Sequence, residues 1–81
     1  MKFHYVISEH DLQTKINQIK RIIEHGDKVK IVVEFRHREN QHRDVGIALM
    51  NNCLDQLKTI VKVDSLPSFQ GKYLIAKVSK L

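Results

Sequence analysis

The apolar residues of this chain recur at two different periods, and the order in which those periods follow one another constrains the fold most strongly. An apolar residue at every second position is typical of a half-buried β-strand, whereas one at every third or fourth position is typical of an amphipathic helix. The strand period covers 2–7, the helical period covers about 9–25, and the strand period returns over 28–36. The first half of the chain therefore predicts a strand, a helix and a second strand.

The helix predicted over 9–25 has one apolar stripe and a signal at each end. The members of the stripe are four, three and four positions apart: Leu12, Ile16, Ile19 and Ile23. Ser8 supplies a side-chain oxygen for the first backbone N–H groups of a helix, and Gly26 suits the left-handed conformation that follows a last helical turn. These features predict a helix that packs one face against a sheet.

The second half of the chain predicts one more helix and two more strands. The helical period returns over about 41–57, and strands are predicted over 59–64 and 72–78. The helical stripe consists of Val45, Ala48, Leu49 and Cys53, widened by Leu57 and flanked by Ile47, Met50 and Leu54. The segment 65–71 contains a proline and a glycine, so it is predicted to be the loop of a hairpin.

The predicted order β-α-β-α-β-β fits an α/β fold of the α+β two-layer sandwich type, with a mixed four-stranded sheet. Right-handed crossovers place both helices on one face of that sheet and leave the other face exposed. A chain of 81 residues is long enough for one domain with a small core, expected over 1–81.

Composition and motifs exclude several classes of protein. No apolar run approaches the roughly 20 residues of a membrane helix, and the first residues lack the features of a secretory signal. The single cysteine cannot form an internal disulfide, so the expected compartment is a reducing cytoplasm or an organelle interior. Glycine-rich phosphate motifs are missing from the sequence, and no cofactor is expected.

The candidate chemical groups favour structural roles. Cys53 lies on the predicted apolar stripe, which favours a small core residue over a nucleophile. The histidines show no HxxxH or HExxH spacing, and His37 and His42 are only two ligands where a zinc site needs three or four. We therefore expect no metal site, no catalytic residue and no enzymatic activity.

The charge of the chain gives the first indication of a partner. Fourteen Lys and Arg residues against nine Asp and Glu residues give a net charge of +5, which favours an anionic partner such as nucleic acid. The strongest local feature is 35–42 (FRHRENQH), in which Arg36 and Arg38 can bind phosphates while the polar side chains contact sugars. A solvated strand end has the same composition, so that alternative stays open.

Residues with a characteristic spacing run through the whole chain. They are Lys2-Phe3, Asp11-x-Gln13-x-Lys15, Gly26-Asp27-Lys28-x-Lys30, the more specific Phe35-Arg36-x-Arg38-Glu39-x-x-His42-x-x-x-Gly46, and Gly71. Together they resemble the C-terminal domain of bacterial translation initiation factor 3 and of its organellar relatives. The resemblance implies the same β-α-β-α-β-β fold that the periodicity predicts.

The resemblance implies a translation initiation role and no enzymatic activity. Such a domain binds the small ribosomal subunit through 16S ribosomal RNA, near the platform and the peptidyl site. There it blocks premature joining of the large subunit and supports start-codon and initiator-tRNA selection. The implied partners are the small subunit with its platform proteins and, indirectly, initiator tRNA and mRNA, with no membrane contact.

The resemblance also bears on the organisation and location of the chain. The whole factor carries an N-terminal domain and a lysine-rich linker helix as well. We therefore expect this chain to be the excised C-terminal domain, beginning at an added Met1 and acting as a monomer. The expected location is the bacterial cytoplasm, with an organellar matrix or stroma as the alternative.

Basic residues that match the family pattern are the implied contacts to ribosomal RNA. They are Lys15, Arg21, Arg36, Arg38 and Lys72, with Lys30, Arg43, Lys58 and Lys62 as additional candidates. Arginine is usual in the family at four positions that differ here: His4, Asn17, Asn52 and Lys72. Lys72 keeps the charge but loses the two-pronged donor geometry of arginine. We expect weaker binding, or binding shifted onto the additional candidates.

Two other functions stay open on the residues alone. The first is a general small RNA-binding α/β domain. The second is a small acylphosphatase-like hydrolase, which needs a phosphate-cradling loop that contains an arginine. The first connection from strand to helix, Ile7-Ser8-Glu9-His10, has neither arginine nor glycine, and turnover of an acyl phosphate would distinguish the hydrolase.

Overall fold

The helices and strands follow one another in the predicted order. The computed structural model describes residues 1–35 and 42–81. Its elements are β1 (Lys2–His4), α1 (Glu9–Glu24), β2 (Val29–Glu34), α2 (Arg43–Leu57), β3 (Val61–Gln70) and β4 (Tyr73–Lys80). The predicted α+β sandwich with a mixed sheet is confirmed.

Helix α1 forms where the sequence predicts it because its ends are capped and its apolar stripe is complete. The backbone N–H of Asp11 donates to Oγ of Ser8 at 3.1 Å. Glu9 and Asp11 lie in the first turn, where the helix dipole favours negative charge. Gly26 follows the last turn with a φ of +86°, a conformation that glycine adopts without strain. The four stripe residues are each at most 5% exposed.

The four strands form one sheet in the order β1-β2-β4-β3. Strand β1 runs parallel to β2, and the other neighbouring strands are antiparallel. On one face the apolar side chains of β2 and β4 lie opposite each other in three pairs: Val29 with Val78, Ile31 with Ala76, and Val33 with Leu74. These side chains and the stripes of α1 and α2 form one buried core. Both helices therefore cover the same face of the sheet, as predicted.

The buried face of α2 differs from the predicted stripe. Val45 is 45% exposed and Ala48 is also exposed, so their predicted burial is wrong. The buried residues are Gly46, Met50, Cys53 and Leu57. The cause is the ring of Phe35, with which a Cβ on Gly46 would collide. Because glycine has no side chain, α2 can turn this face toward the core.

The segment 65–71, predicted to be a loop, is mostly part of a strand. Strand β3 continues to Gln70, and only Gly71 and Lys72 turn the chain into β4. Gly71 has a φ of +61°, which suits a two-residue hairpin turn. The register between β3 and β4 shifts twice. An edge strand with such bulges tolerates Pro67, which has no N–H for the ladder.

Strand β1 is shorter than the strand predicted over 2–7. It ends at His4, and the backbone N–H of Val6 donates to Nδ1 of His4 at 3.2 Å. The backbone N–H of Tyr5 still donates to the carbonyl of Glu34 on β2 at 3.1 Å. Val6 then forms its hydrogen bond within a bend of the chain, so the pairing with β2 ends there.

Candidate nucleic-acid interface

The face of the sheet opposite the helices is rich in lysine. Side chains alternate between the two faces along a strand. The residues that alternate with the core positions are Lys30, Val32 and Glu34 on β2, and Tyr73, Ile75, Lys77 and Ser79 on β4. Lys2 on β1 pairs in register with Val32 and joins them. We call this surface the open face, because α1 and α2 both pack on the other side.

Lys2 of the open face and Lys72 of the β3–β4 turn lie around one carboxylate. Nζ of Lys2 lies 3.5 Å from Oε1 of Glu34, and Nζ of Lys72 lies 3.4 Å from Oε2. The same two ammonium groups lie 5.4 and 5.6 Å from the ring centroid of Tyr73, within the range of a cation–π attraction. We call these four residues the Glu34 cluster. It fixes two positive charges beside the β3–β4 turn.

The charge of Glu34 is set by its two lysine partners. Partial burial alone would raise the pKa of the Glu34 carboxyl, but the ammonium groups of Lys2 and Lys72 outweigh that effect and lower the pKa. Glu34 is therefore ionised at neutral pH and neutralises one of the two positive charges. The side chains of Lys2 and Lys72 remain 55% and 52% exposed, so a phosphate can reach both.

Aromatic rings pack together next to this end of the sheet. Tyr5 stacks on Phe35 at 5.5 Å and on His42 at 5.3 Å, measured between ring centroids. Phe35 also contacts Phe69, at 5.8 Å. The end of β2, the start of α2 and the end of β3 are therefore joined by one group of rings.

This aromatic group positions a further cation. The guanidinium carbon of Arg43 lies 4.7 Å from the ring centroid of Phe69, which orients this additional candidate. The backbone N–H of Phe35 donates to the carbonyl of Lys72 at 2.8 Å, so the aromatic group adjoins the Glu34 cluster. Two predicted contacts that follow Phe35 in the sequence lie outside the described residues: Arg36 and Arg38.

The predicted contacts of α1 lie elsewhere. Arg21 is exposed in the last turn of the helix. Lys15 is half-buried. Burial lowers the pKa of the Met1 α-ammonium group, and the charges of Lys15 and Lys30 lower it further. The α-ammonium group donates to the backbone carbonyl of Lys30 at 2.8 Å.

The remaining candidates are exposed. Nζ of Lys58 lies 3.2 Å from Oδ1 of Asp55, with both side chains about 70% exposed. An exposed pair of this kind contributes little to stability, so Lys58 can exchange Asp55 for a phosphate. Lys62 is exposed on β3.

Sequence reasoning missed two lysines of the open face. Lys2 belongs to the Glu34 cluster, and Lys77 lies opposite Lys30 in the sheet. Strict alternation along 2–7 and 72–78 places both on the polar side of their strands, and this signal could have found them. The pairing of Lys72 with Glu34 had no signal in the sequence, because 38 residues separate the two.

The family is established by comparison with known proteins. The family model described as translation initiation factor IF-3, C-terminal domain, matches residues 1–80. The chain belongs to this family. Its relatives include the chloroplastic translation initiation factor IF-3 of Porphyra purpurea, which is 39% identical over 79 residues, covering 98% of this chain and 43% of the relative.

Bacterial relatives give the same result. Translation initiation factor IF-3 of Thermus thermophilus is 39% identical over 72 residues, covering 89% of this chain and 42% of the relative. The factor of Mesorhizobium japonicum is 38% identical over 69 residues, covering 85% of this chain and 39% of the relative. The chain thus spans about two-fifths of the length of these relatives. The family is that of a translation factor and not of an enzyme.

Three residues of this IF-3 domain stand where the family resemblance leads one to expect arginine: His4, Asn17 and Asn52. Oδ1 of Asn17 accepts from Nε2 of Gln13, and Oδ1 of Asn52 accepts from Nε2 of Gln56, both at 3.3 Å. Each pair lies on an exposed helix surface at i,i+4 spacing. With asparagine at these two positions, the outer surfaces of both helices carry less positive charge than the family pattern implies.

The buried cysteine of this IF-3 domain belongs to the core, as predicted. Cys53 is 0% exposed, and burial raises the pKa of its thiol to about 11. It is therefore protonated at neutral pH and unreactive. Within residues 1–35 and 42–81, no three His, Cys, Asp or Glu side chains are grouped so that they could hold a metal ion. No helix in that part of the chain is long and apolar enough to cross a membrane.

Proposed function

We propose that this IF-3 C-terminal domain, residues 1–81, binds the small ribosomal subunit by contacting phosphates of 16S ribosomal RNA. In doing so it blocks premature joining of the large subunit and supports start-codon and initiator-tRNA selection, in the bacterial cytoplasm or an organelle. The proposal is supported by the arrangement of cations at the end of the sheet, beside the β3–β4 turn. There Lys2, Lys72 and Arg43 are held by neighbouring rings and a carboxylate while their charged groups stay accessible.

The physical basis of binding is a set of cations fixed on a rigid sandwich. Side chains that are already oriented lose less conformational entropy when they bind. Each phosphate that they neutralise releases condensed counterions, which favours association. We assign the remaining contacts to Lys15 and Arg21 on α1 and to Arg36 and Arg38. Each of these cations would likewise neutralise a phosphate and release counterions from the RNA.

The direct test is co-sedimentation of the domain with purified small subunits and, separately, with whole ribosomes. Because the bound domain occludes the surface that the large subunit covers, we expect it to sediment with small subunits only. Addition of the domain should also shift a mixture of subunits toward the free state. Equal binding to small subunits and whole ribosomes would show generic adhesion of a basic protein and contradict the proposal.

Three arginine variants and one lysine control test the assigned residues. Arg21→Ala should weaken binding to small subunits, and Arg36→Ala and Arg38→Ala should do the same. The free energy of unfolding of Arg21→Ala should change by no more than about 0.5 kcal/mol, because Arg21 is exposed on α1. The control is Lys20→Ala, which removes the neighbouring charge on α1 and should bind as the unmodified chain does. If all three arginine variants bind normally while folded, the assigned surface is wrong.

The salt dependence of binding gives an independent measure. If the domain neutralises about four to six phosphates, the logarithm of affinity should fall linearly with the logarithm of salt concentration, with a slope of roughly −3 to −5. Titrations of small-subunit binding between about 50 and 200 mM salt measure this slope. An affinity that does not change over that range would exclude phosphate contacts as the source of binding.

A further inference from the structure

Two lysines of the open face stand directly opposite each other. Lys30 on β2 pairs in register with Lys77 on β4, and residues paired in this way have Cβ atoms about 5 Å apart. Like charges in this arrangement destabilise a sheet. The Glu34 cluster has no such conflict, because its carboxylate lies between the two ammonium groups.

A depression of about 280 Å³ opens at this pair. It is lined by Lys28, Val29, Lys30, Asp64 and Lys77. No carboxylate of the described residues lies within 4.0 Å of the ammonium group of Lys28, Lys30 or Lys77. With Asp64 counted, the three lysines leave the depression with a net charge of +2. The three ammonium groups therefore repel one another when the depression is empty, and their net positive charge favours binding of an anion.

A buried hydroxyl lies next to the same pair. Ser79 follows Lys77 by two residues on β4, so both belong to the same face, and it pairs in register with Lys62 on β3. Ser79 is only 6% exposed, and its Oγ has no hydrogen-bond partner among the described residues. An unpartnered buried hydroxyl is unfavourable. Ser79 does not itself line the depression, so a ligand oxygen supplies the missing partner only when the lysine side chains that cover the hydroxyl move apart.

We propose that this depression binds a phosphate group of the RNA backbone, as a second contact separate from the Glu34 cluster. The ammonium groups of Lys28, Lys30 and Lys77 surround the phosphate oxygens, and the Ser79 hydroxyl donates to one of them. The phosphate relieves the repulsion between Lys30 and Lys77. This inference rests on the proposed function, since it takes the RNA to be that of the small ribosomal subunit.

The test compares two double variants with the same net charge. Lys30→Gln/Lys77→Gln removes the opposed pair, and Lys20→Gln/Lys80→Gln removes two lysines that do not line the depression. The first variant should melt at a higher temperature than the unmodified chain, because a repulsion is lost. It should also bind small subunits roughly three- to tenfold more weakly, with a salt slope shallower by about one. The control variant should show neither change.

A single variant tests the hydroxyl. Ser79→Ala removes the unpartnered group, so its melting temperature should stay level or rise. Its affinity for small subunits should nevertheless fall about twofold or more, because one donor to the phosphate is lost. Unchanged affinity for Ser79→Ala, with the lysine result intact, would remove the hydroxyl from the site.

A third arm separates this inference from the proposed function. A short single-stranded RNA oligonucleotide is titrated into the isotope-labelled domain while backbone amide signals are recorded. The signals of Lys77 and Ser79 should shift, and they should not shift in Lys30→Gln/Lys77→Gln. If the unmodified chain binds small subunits and the pair variant binds equally well, the depression is not a contact and the proposed function stands. If the unmodified chain does not bind small subunits, the proposed function fails, and the oligonucleotide result alone decides whether the depression binds phosphate.

Discussion

The two faces of the sheet are made from alternate residues of the same strands, yet one face is apolar and buried and the other is charged and exposed. Ile31 on β2 is 0% exposed in the core, while the neighbouring Lys30 is exposed on the open face. The core face pairs apolar side chains and gains free energy from burial. The open face sets Lys30 opposite Lys77, an arrangement that costs stability. The difference indicates that stability comes from the core face, which leaves the open face available for the proposed binding.

The largest expected effect comes from a substitution on the core face. Ile31→Ala should lower the free energy of unfolding by roughly 2–5 kcal/mol, because it removes a fully buried side chain and leaves a cavity. Small domains have only about 5 kcal/mol in total, so this substitution should remove a large fraction of the stability. Thermal and urea unfolding measure the change.

The neighbouring residue is the matched control for that prediction. Lys30→Ala should change the free energy of unfolding by no more than about 0.5 kcal/mol, while small-subunit binding weakens. Ile31→Ala should bind normally once the folded fraction is taken into account. If Lys30→Ala were as destabilising as Ile31→Ala, the open face would contribute to stability as the core face does, and the distinction between the two faces would be wrong.

The next effect concerns the contact that turns α2 toward the core. Alanine in place of Gly46 should stabilise the helix by about 1 kcal/mol through its higher helix propensity. Its Cβ would, however, collide with the Phe35 ring, and overpacking of this kind destabilises a core by roughly 1–3 kcal/mol. Gly46→Ala should therefore destabilise the domain, as measured by urea unfolding. Ala48→Gly, on the exposed side of α2, serves as the control that measures propensity alone.

A double variant shows whether the ring is the cause. In a Phe35→Leu background the added Cβ has more room, so Gly46→Ala should cost less than it does beside phenylalanine. Equal costs in the two backgrounds would mean that the glycine is needed for another reason, and that the buried face of α2 is set elsewhere.

These contacts explain how far the sequence could predict the fold. Helix α1 was predictable because its stripe and its cap at Ser8 are local signals that agree with the tertiary packing. The buried face of α2 was not, because it depends on Phe35 meeting Gly46 across the fold. The first part of β3 was predicted over 59–64, but its second half was missed because Pro67 favours a loop locally, whereas pairing with β4 decides the outcome.

The candidate site divides in the same way. Lys72 and Arg43 were named from their residue type and the family resemblance, whereas Lys2 and Lys77 were missed. The partners of these cations were not predictable, because Glu34 reaches Lys2 and Lys72 across strand pairings that no local pattern encodes. The opposition of Lys30 and Lys77 could be recognised only from the register of β2 and β4.

The third prediction uses the acid of the Glu34 cluster, which competes with phosphate for two lysines. Glu34→Gln should strengthen binding to small subunits, because Lys2 and Lys72 lose their internal partner, and it should lower the melting temperature slightly at neutral pH. The pKa of Glu34 is lowered in the folded state, so its contribution to stability is complete above the unfolded pKa of about 4.3. That contribution is lost as the pH falls through the lower, folded pKa.

Melting curves against pH check this directly. The difference in melting temperature between the unmodified chain and Glu34→Gln should be constant near neutral pH and vanish in acid. Glu24→Gln, on the exposed surface of α1, is the control for loss of one exposed carboxylate. A Glu34→Gln variant that binds no better than Glu24→Gln would show that the cluster does not contact RNA.

The smallest expected effect, and the most specific, comes from exchanging one cation for another. Lys72→Arg keeps the charge and replaces a point-like ammonium with a planar group that binds two phosphate oxygens at once. Binding should therefore strengthen by a few-fold if Lys72 contacts a phosphate. Glu34 complicates the measurement, since arginine also binds a carboxylate more tightly than lysine does.

The exchange should therefore be made twice, in the unmodified chain and in Glu34→Gln. With glutamate present, the new guanidinium is partly occupied, so the gain in affinity should be small. With glutamine it is free, so the gain should be larger, while stability changes by no more than about 0.5 kcal/mol in either background. Lys20→Arg is the control for a lysine outside the surface. Equal gains in the two backgrounds would mean that Glu34 does not restrain position 72, and no gain in either would remove Lys72 from the RNA contact.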